Sequence, residues 1–304
     1  MINQQAQSDD LVVTRVANVP QGHRFGLVRS VLGFVRKKPL GAVCAALIVM
    51  IVLAAIFADV IAPYSYSERS GTPLSSPSGT HLMGTDRFGR DMFSRIIYGS
   101  RATVEVGLGT AIVATFVAMV IGVSSGFIGG WYDTIMQRLV DTVMALPGMV
   151  LVLSIMAFVG GSTVTIILTL GLLSAPGMSR IVRGATLSVR EAQYIEAARA
   201  LSASTPRLIL RHTLPNIVAP VIVIGTVAVG NAVLAEATLS FLGFGVTPPT
   251  PSWGQELGTS GRQFMRVAPW LAIFPGLAIS LTVFSFNMLG DALRDVLDPR
   301  LRNT

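Results

Sequence analysis

Apolar positions along the chain gather into six blocks, and polar positions into the gaps between them. The blocks are residues 40–62, 103–128, 134–159, 163–181, 217–244 and 269–289. A helix needs about 20 residues to cross a bilayer, so each block is close to one crossing. The pattern predicts an all-α integral membrane protein with six transmembrane helices. Its divisions are a polar tail (1–38), a first crossing (39–62), a long polar loop (63–102), a core of five further crossings (103–291) with an internal polar loop (183–216), and a closing tail (292–304).

Local punctuation refines these elements. Residues 91–98 carry Met92, Phe93, Ile96 and Ile97 at i, i+1, i+4 and i+5. One oily face results, predicting a short amphipathic helix on the membrane surface ahead of the second crossing. Gly122, Gly126 and Gly130 fall at every fourth position, a spacing that lets helices approach closely. Pro147-Gly148 predicts a kink in the third crossing, and Pro176-Gly177 a break in the fourth. The stretch 190–216 reads as helix, break, helix. Residues 196–201 are strong helix formers and open a first helix over about 196–204. Thr205 is the expected N-cap of the second helix, with Pro206 at its first position. Pro215 ends or kinks that helix.

Composition and charge narrow the class. Hydrophobic residues make up 51% of the 304 and charged residues 13%, about half the charged share of a soluble domain. The net charge is +7. Sixteen of the 23 Lys and Arg fall in 1–38, at Arg138, in 180–216 and in the closing tail; the other seven fall at Arg69, Arg87, Arg90, Arg95, Arg101, Arg262 and Arg266. That asymmetry is a membrane-topology signal and not a nucleic-acid signal, and it predicts both termini on the inner side. The basic cluster before residue 40 predicts an uncleaved first helix. Lys37 and Lys38 are the only lysines, and neither sits in a phosphate-cradling Gly-x-x-x-x-Gly-Lys-Ser/Thr loop. His23, His81 and His212 form no His-Glu-x-x-His, and the single Cys44 excludes an intrachain disulfide. No catalytic, metal or cofactor site is expected in this chain.

Four motifs carry a family resemblance. Glu196-Ala197-Ala198, Ser202, and His212-x-Leu214-Pro215 resemble the Glu-Ala-Ala loop of bacterial ABC-importer permeases, in which Gly is usual where Ser202 stands. The run from His81 through Gly84, Asp86, Gly89, Arg90, Asp91, Ser94 and Arg95 is similar to the extracytoplasmic signature of the dipeptide/oligopeptide/nickel subfamily, "C"-type subunit. Residues 248–254 and the ending 286–299 are similar to it as well. The resemblance covers about residues 38–302.

It implies a type I ABC-importer permease fold in the bacterial inner membrane. It further implies a "B"-type permease partner, two ATPase subunits holding ATP and Mg, and an extracytoplasmic solute-binding protein. Glu196, Ala197, Ala198, Arg199, Leu201, Ser202, His212, Leu214 and Pro215 would then couple this chain to an ATPase. Dipeptides or oligopeptides are the implied cargo, with nickel chelates and glutathione as alternatives. Two rival classes are an ATPase-independent secondary transporter, which would call for internal repeats that the sequence does not display, and an intramembrane enzyme, which would need a catalytic His, Cys or paired Asp at membrane depth, where Cys44 and Asp141 have no matching partner in sequence.

Remaining candidates keep two readings each. Arg138 and Asp141, three apart on one helical face, are expected to form an intramembrane pair. Glu236 and Asn231 are pathway candidates, though Glu236 equally suits a bond to a neighbouring helix. His212 suits a hydrogen bond at the loop–membrane junction or a titrating role. The 81–95 cluster suits mutual bonds that fix its loop, or a ligand site. Trp253 is expected at the membrane interface.

Overall fold

The structure, a computed structural model, describes Val35 and residues 38–297. The basic tail, the end of the closing tail and Asp298-Pro299 of the last motif lie outside the described residues. Within them all regular structure is helical, with two isolated bridges, Arg69–Arg90 and Thr85–Asp91.

The helices in chain order are α1 (Pro39–Ile56), α2 (Ala58–Ile61), α3 (Met92–Ile128), α4 (Gly130–Met144), α5 (Gly148–Val159), α6 (Thr163–Arg190), α7 (Gln193–Ala200), α8 (Thr205–Leu208), α9 (Leu214–Phe241), α10 (Trp253–Glu256), α11 (Arg262–Phe264) and α12 (Trp270–Leu297). Five stretches are long and apolar enough to span: α1, α3, α6, Thr205–Phe241 and α12. The pair α4 and α5 makes a sixth when counted as one span.

Four elements differ from the sequence expectation. The separate surface helix over 91–98 is absent. Its residues begin α3, where Met92 and Ile96 are buried against Trp253 and Leu271 instead of facing lipid. The third crossing is two helices meeting at 77°, far more than a kink. Pro147 has no N–H to give and keeps an extended backbone (ψ 109°) as the N-cap of α5, which severs the ladder. The fourth crossing does not break at Pro176, which is carried inside an unbroken α6. Pro215 does not end its helix either. A π turn, Ile209–Thr213, joins α8 to α9, and the Leu214 amide bonds Ile209 O. That wider turn directly precedes the residue whose ring would otherwise meet the Arg211 carbonyl.

Three apolar clusters follow one another along α3. Met92 and Ile96 meet Ala237, Trp253 and Leu271 at its start. Val106 meets Val152, Leu170 and Leu239 further along. Ala118 and Val123 meet Ala175, Val182, Ile217 and Val221 near its end. Ile48 of α1 packs on the cluster of Ala111, Val229, Val233 and Phe286. Between lipid-solvated helices such contacts act through close packing, because lipid is as apolar as the side chains. The α3–α6 seam shows this. A Cβ at Gly122 would lie 2.6 Å from Ser179 O and 2.7 Å from Val182 Cβ. Gly126 continues the seam, with a Cβ position 3.0 Å from Arg183 O. Gly130, the third of the series, has open space around it and instead opens α4.

Candidate functional site

Two sites occupy opposite ends of the bundle. The first is built by the loop ahead of α3. Asp86 accepts from the Phe88 amide (2.8 Å), the Arg90 amide (2.9 Å) and Arg90 Nε (2.6 Å). Asp91 is the N-cap of α3: its Oδ2 accepts from the Ser94 amide and hydroxyl, both at 2.8 Å. His81 Nδ1 lies 2.9 Å from the other oxygen, Oδ1. Arg95 donates from Nε to Glu256 Oε1 (2.9 Å) and from Nη1 to Tyr66 O (2.7 Å), and its Nη2 also meets Glu256 Oε1. Gly89 takes φ +77°, and a Cβ there would lie 2.1 Å from Gly71 O. Asp86, Asp91, Ser94 and Arg95 are all at most 2% exposed. The structure therefore brings together all eight signature residues, with Gly84 inside the same turn, its carbonyl taking the Met92 amide at 3.0 Å. Their polar groups bond one another and, through Arg95, Glu256 and Tyr66, which makes the loop a rigid cap on the start of α3.

Trp253 belongs to this end and is a correction. It is buried, not interfacial; its Nε1 donates to Ile96 O at 2.8 Å and its ring lies against Gly99. Glu236 is 1% exposed, accepts from the Ser240 hydroxyl at 2.6 Å and is bonded by Ser252. Its surroundings are those of a bond between α9 and the 245–252 loop. Asn231 is exposed, and lines a concavity of about 400 Å³ with Ser174, Met178, Asp291 and Arg294.

The second site is the loop between α6 and α9. Helix α7 starts three residues earlier than expected and ends at Ala200. Ile195 is its buried anchor, and Arg199 lies 5.6 Å over the Phe127 ring at the end of α3. The outward face holds Glu196, Ala197, Leu201 and Ser202, with Leu201 85% exposed. Ser202 has φ +61°, the left-handed region, and the Ala203 amide bonds Ala198 O (3.1 Å) while the Ser202 amide bonds Arg199 O (2.9 Å). This pair of bonds is a Schellman stop, whose central residue is normally Gly. The serine thus holds the backbone angle that glycine would adopt freely. Ser204, and not Thr205, is the N-cap position of α8. His212 lies within the π turn, where its carbonyl accepts from Asn216 Nδ2 at 2.7 Å; Leu214 and Pro215 open α9.

Ion pairs brace this end. Arg183 grips Asp133 through Nε (2.7 Å) and Nη2 (2.5 Å), and Ser125 bonds the same carboxyl. Arg190 Nη1 reaches Gly126 O at 3.2 Å. The expected pair of Arg138 with Asp141 does not form. Asp141 pairs with Arg180 of α6 instead; within a helix, a cation N-terminal to its carboxylate is the less favourable order. Sequence reasoning singled out neither Asp133, Arg183 nor Glu256. Their partners lie 50 and 161 residues away, so no local spacing marks them.

The helical arrangement has a counterpart among solved structures. A chain of the MetNI methionine ABC transporter in inward-facing conformation superposes with a TM-score of 0.52 at 18% identity, covering 66% of this chain and 97% of that one. The fold is thus that of an ABC-importer permease. Residues 118–303 match the family described as binding-protein-dependent transport system inner membrane component, and residues 29–77 match the N-terminal TM domain of oligopeptide transport permease C. Similar relatives include the dipeptide transport system permease protein DppC of Alkalihalophilus pseudofirmus, 39% identical over 88% of each chain. The glutathione transport system permease protein GsiD of Pectobacterium atrosepticum is 38% identical over 86% of this chain and 88% of its own. The chain belongs to the binding-protein-dependent transport system inner membrane component family. It is a multi-pass permease subunit of the bacterial inner membrane, not an enzyme, and works within a larger importer.

Proposed function

We propose that this chain forms half of the translocation pathway of a peptide importer, paired with a second, "B"-type permease subunit. Two ATPase subunits holding ATP and Mg power it, and a solute-binding protein delivers cargo to the 63–102 side. Both termini face the cytoplasm. The chain itself holds no cofactor. The observation that carries the coupling is helix α7, held at the bundle by Ile195 and Arg199 while Glu196, Ala197 and Leu201 face outward without cover. An exposed short helix with an 85%-exposed leucine at its end is shaped to enter a groove on a partner. Rigid bracing by Arg183–Asp133 and Arg190–Gly126 would pass motion of that groove into α3 and α6.

The names of the relatives favour dipeptides, with glutathione, itself a peptide, as the second cargo. The test is ATP-driven uptake in proteoliposomes containing the complete importer and its binding protein. Labelled dialanine and glutathione are offered separately. Uptake of either by the complete importer, and loss of uptake when Leu201→Glu is introduced, is the expected result. Uptake without ATPase subunits would overturn the reading in favour of a secondary transporter.

A further inference from the structure

One face of the bundle, formed by α6, α9 and α12, carries two adjoining concavities that share Ile181, Val223, Ile224 and Arg294. Their volumes are about 470 and 400 Å³. The walls are mostly apolar. The smaller concavity also holds Ser174, Asn231 and Asp291, all exposed, as is Arg294. None of these four side chains has a hydrogen bond or ion pair within the described residues. Asp291 is deep for a free charge. A Cβ on its neighbour Gly290 would lie 2.8 Å from Val227 Cγ2. Val227 stands ten residues inside the apolar block 217–244, about 15 Å from its edge at 1.5 Å per residue. Ser174, on the same wall, is seven residues inside the block 163–181.

An exposed carboxylate at that depth is costly against lipid, and charges within a span face water or a partner group. A concave wall lined by three further unbonded polar groups is such a setting. Asn231 lies four residues from Val227 along α9, about 6 Å, so α9 and α12 bring the amide and the carboxylate to one hollow. Asp291 and Arg294 are three apart and project from one face of α12. Opposite charges, both unpaired, therefore share one groove. We propose that this groove is the hydrated lining of the pathway and that Asp291 is its specificity-determining residue, taking the ammonium of a short peptide while Arg294 takes the carboxylate; this rests on the peptide-import reading. A simple cation or anion answers one of the two charges and is repelled by the other, whereas a zwitterion answers both. An ammonium has three donors, which suits the Asp291 carboxylate together with Asn231 Oδ1, and a guanidinium fork suits a carboxylate. Arg294 also borders the larger concavity, so the carboxylate end of the cargo is passed between the two hollows by one side chain.

The test uses the complete importer in lipid nanodiscs. Cys44 is the only cysteine of this chain, so on a Cys44→Ser background the labelling of Asn231→Cys is read from the mass of the chain. A cationic and an anionic methanethiosulfonate reagent of similar size are compared, each rate divided by its rate with free mercaptoethanol. Both are expected to label position 231. One charge about 6 Å away in water changes each rate about threefold in opposite directions, so Asp291→Asn is expected to lower the cation-to-anion ratio about tenfold. Asp291→Glu keeps the charge and is expected to keep the ratio, which separates loss of the carboxylate from loss of the fold. Arg294→Gln is expected to raise the ratio. ATP-driven uptake of dialanine, with binding protein present, is measured in proteoliposomes on the same subunits with Asn231 restored. Asp291→Asn and Arg294→Gln are expected to lower it at least about tenfold, and Asp291→Glu to hold it within about threefold. No labelling at position 231 by either reagent overturns the proposal, since the face is then sealed by the partner permease or by lipid. So does a ratio that Asp291→Asn leaves unchanged, or dialanine uptake that neither neutral variant lowers. Those results refute the groove alone, whereas no uptake of any peptide by the unaltered importer refutes the import reading and the cargo proposed here with it.

Discussion

Ser202 sits where its backbone angle suits glycine, so replacing it separates backbone cost from side-chain contact. At φ +61° a residue with a Cβ carries about 1–2 kcal/mol of steric cost relative to the right-handed region. Glycine avoids that cost but loses about 0.5–1 kcal/mol more backbone freedom on folding. The difference predicts that Ser202→Gly stabilises the stop of α7 by about 0.7 kcal/mol, roughly a threefold smaller local opening constant. Ser202→Val works in the other direction. A β-branched residue is an outlier at this angle, and the cost rises to about 3 kcal/mol, about 1.5 kcal/mol above serine and a factor of about 10 in opening. The assay is hydrogen exchange at the amides of positions 202 and 203, which donate to Arg199 O and Ala198 O. Local opening governs their exchange. Slower exchange is expected for Ser202→Gly and much faster exchange for Ser202→Val, with ATP hydrolysis uncoupled from uptake only in the second. Exchange at 203 that is unchanged by valine would show that the Schellman bonds do not hold α7, and the reasoning would be wrong.

Gly122→Leu places side-chain atoms where Ser179 O and Val182 already stand, so overpacking by about 3 kcal/mol or more is expected, read as a lowered melting temperature of the detergent-solubilised importer. Arg95→Met and Glu256→Gln singly each strand a buried charge or polar group and should cost about 3–5 kcal/mol, whereas the double change should cost less than either sum; a double-mutant cycle with no coupling would remove the pair from the account. Asp133→Asn should loosen the junction of α4 with α6 and cut transport more than ATP hydrolysis, measured as moles of peptide moved per ATP; an unchanged ratio would dismiss the bracing role.

The long spans were readable because lipid demands uninterrupted apolar runs, and 103–128 or 217–244 satisfy that demand without ambiguity. Turn chemistry was less readable. Pro147, Pro176 and Pro215 are the same residue in the sequence and have three outcomes: a 77° corner, a tolerated interior position and a π turn. What decides among them is packing from distant helices, which local pattern does not encode. The 81–95 motif announced a dense polar cluster, yet its orientation inward depended on Glu256 and Tyr66, residues no spacing connects to it. Asp141 illustrates the same gap: its nearest cation along the chain, Arg138, loses to one 39 residues on. Ser202 was the opposite case, since a departure from the usual glycine pointed directly to one of the two non-glycine positions with positive φ among the described residues, the other being Leu74.

The join of α8, the π turn and α9 gives the importer a continuous shaft. Thr205–Phe241 is 37 residues, about 55 Å at 1.5 Å per residue. Its near end adjoins α7, and its far end holds Ala237 against Trp253. A rotation of about 5° about one end displaces the other by about 5 Å, the scale of one helical turn. The π turn lies near the driven end, where a wider, less regular hydrogen-bond ladder gives torsional compliance, while the far end is clamped. In the importer proposed above, angular travel of α7 would swing the near end of this shaft about its clamped far end, with the slack confined to the five residues of the π turn.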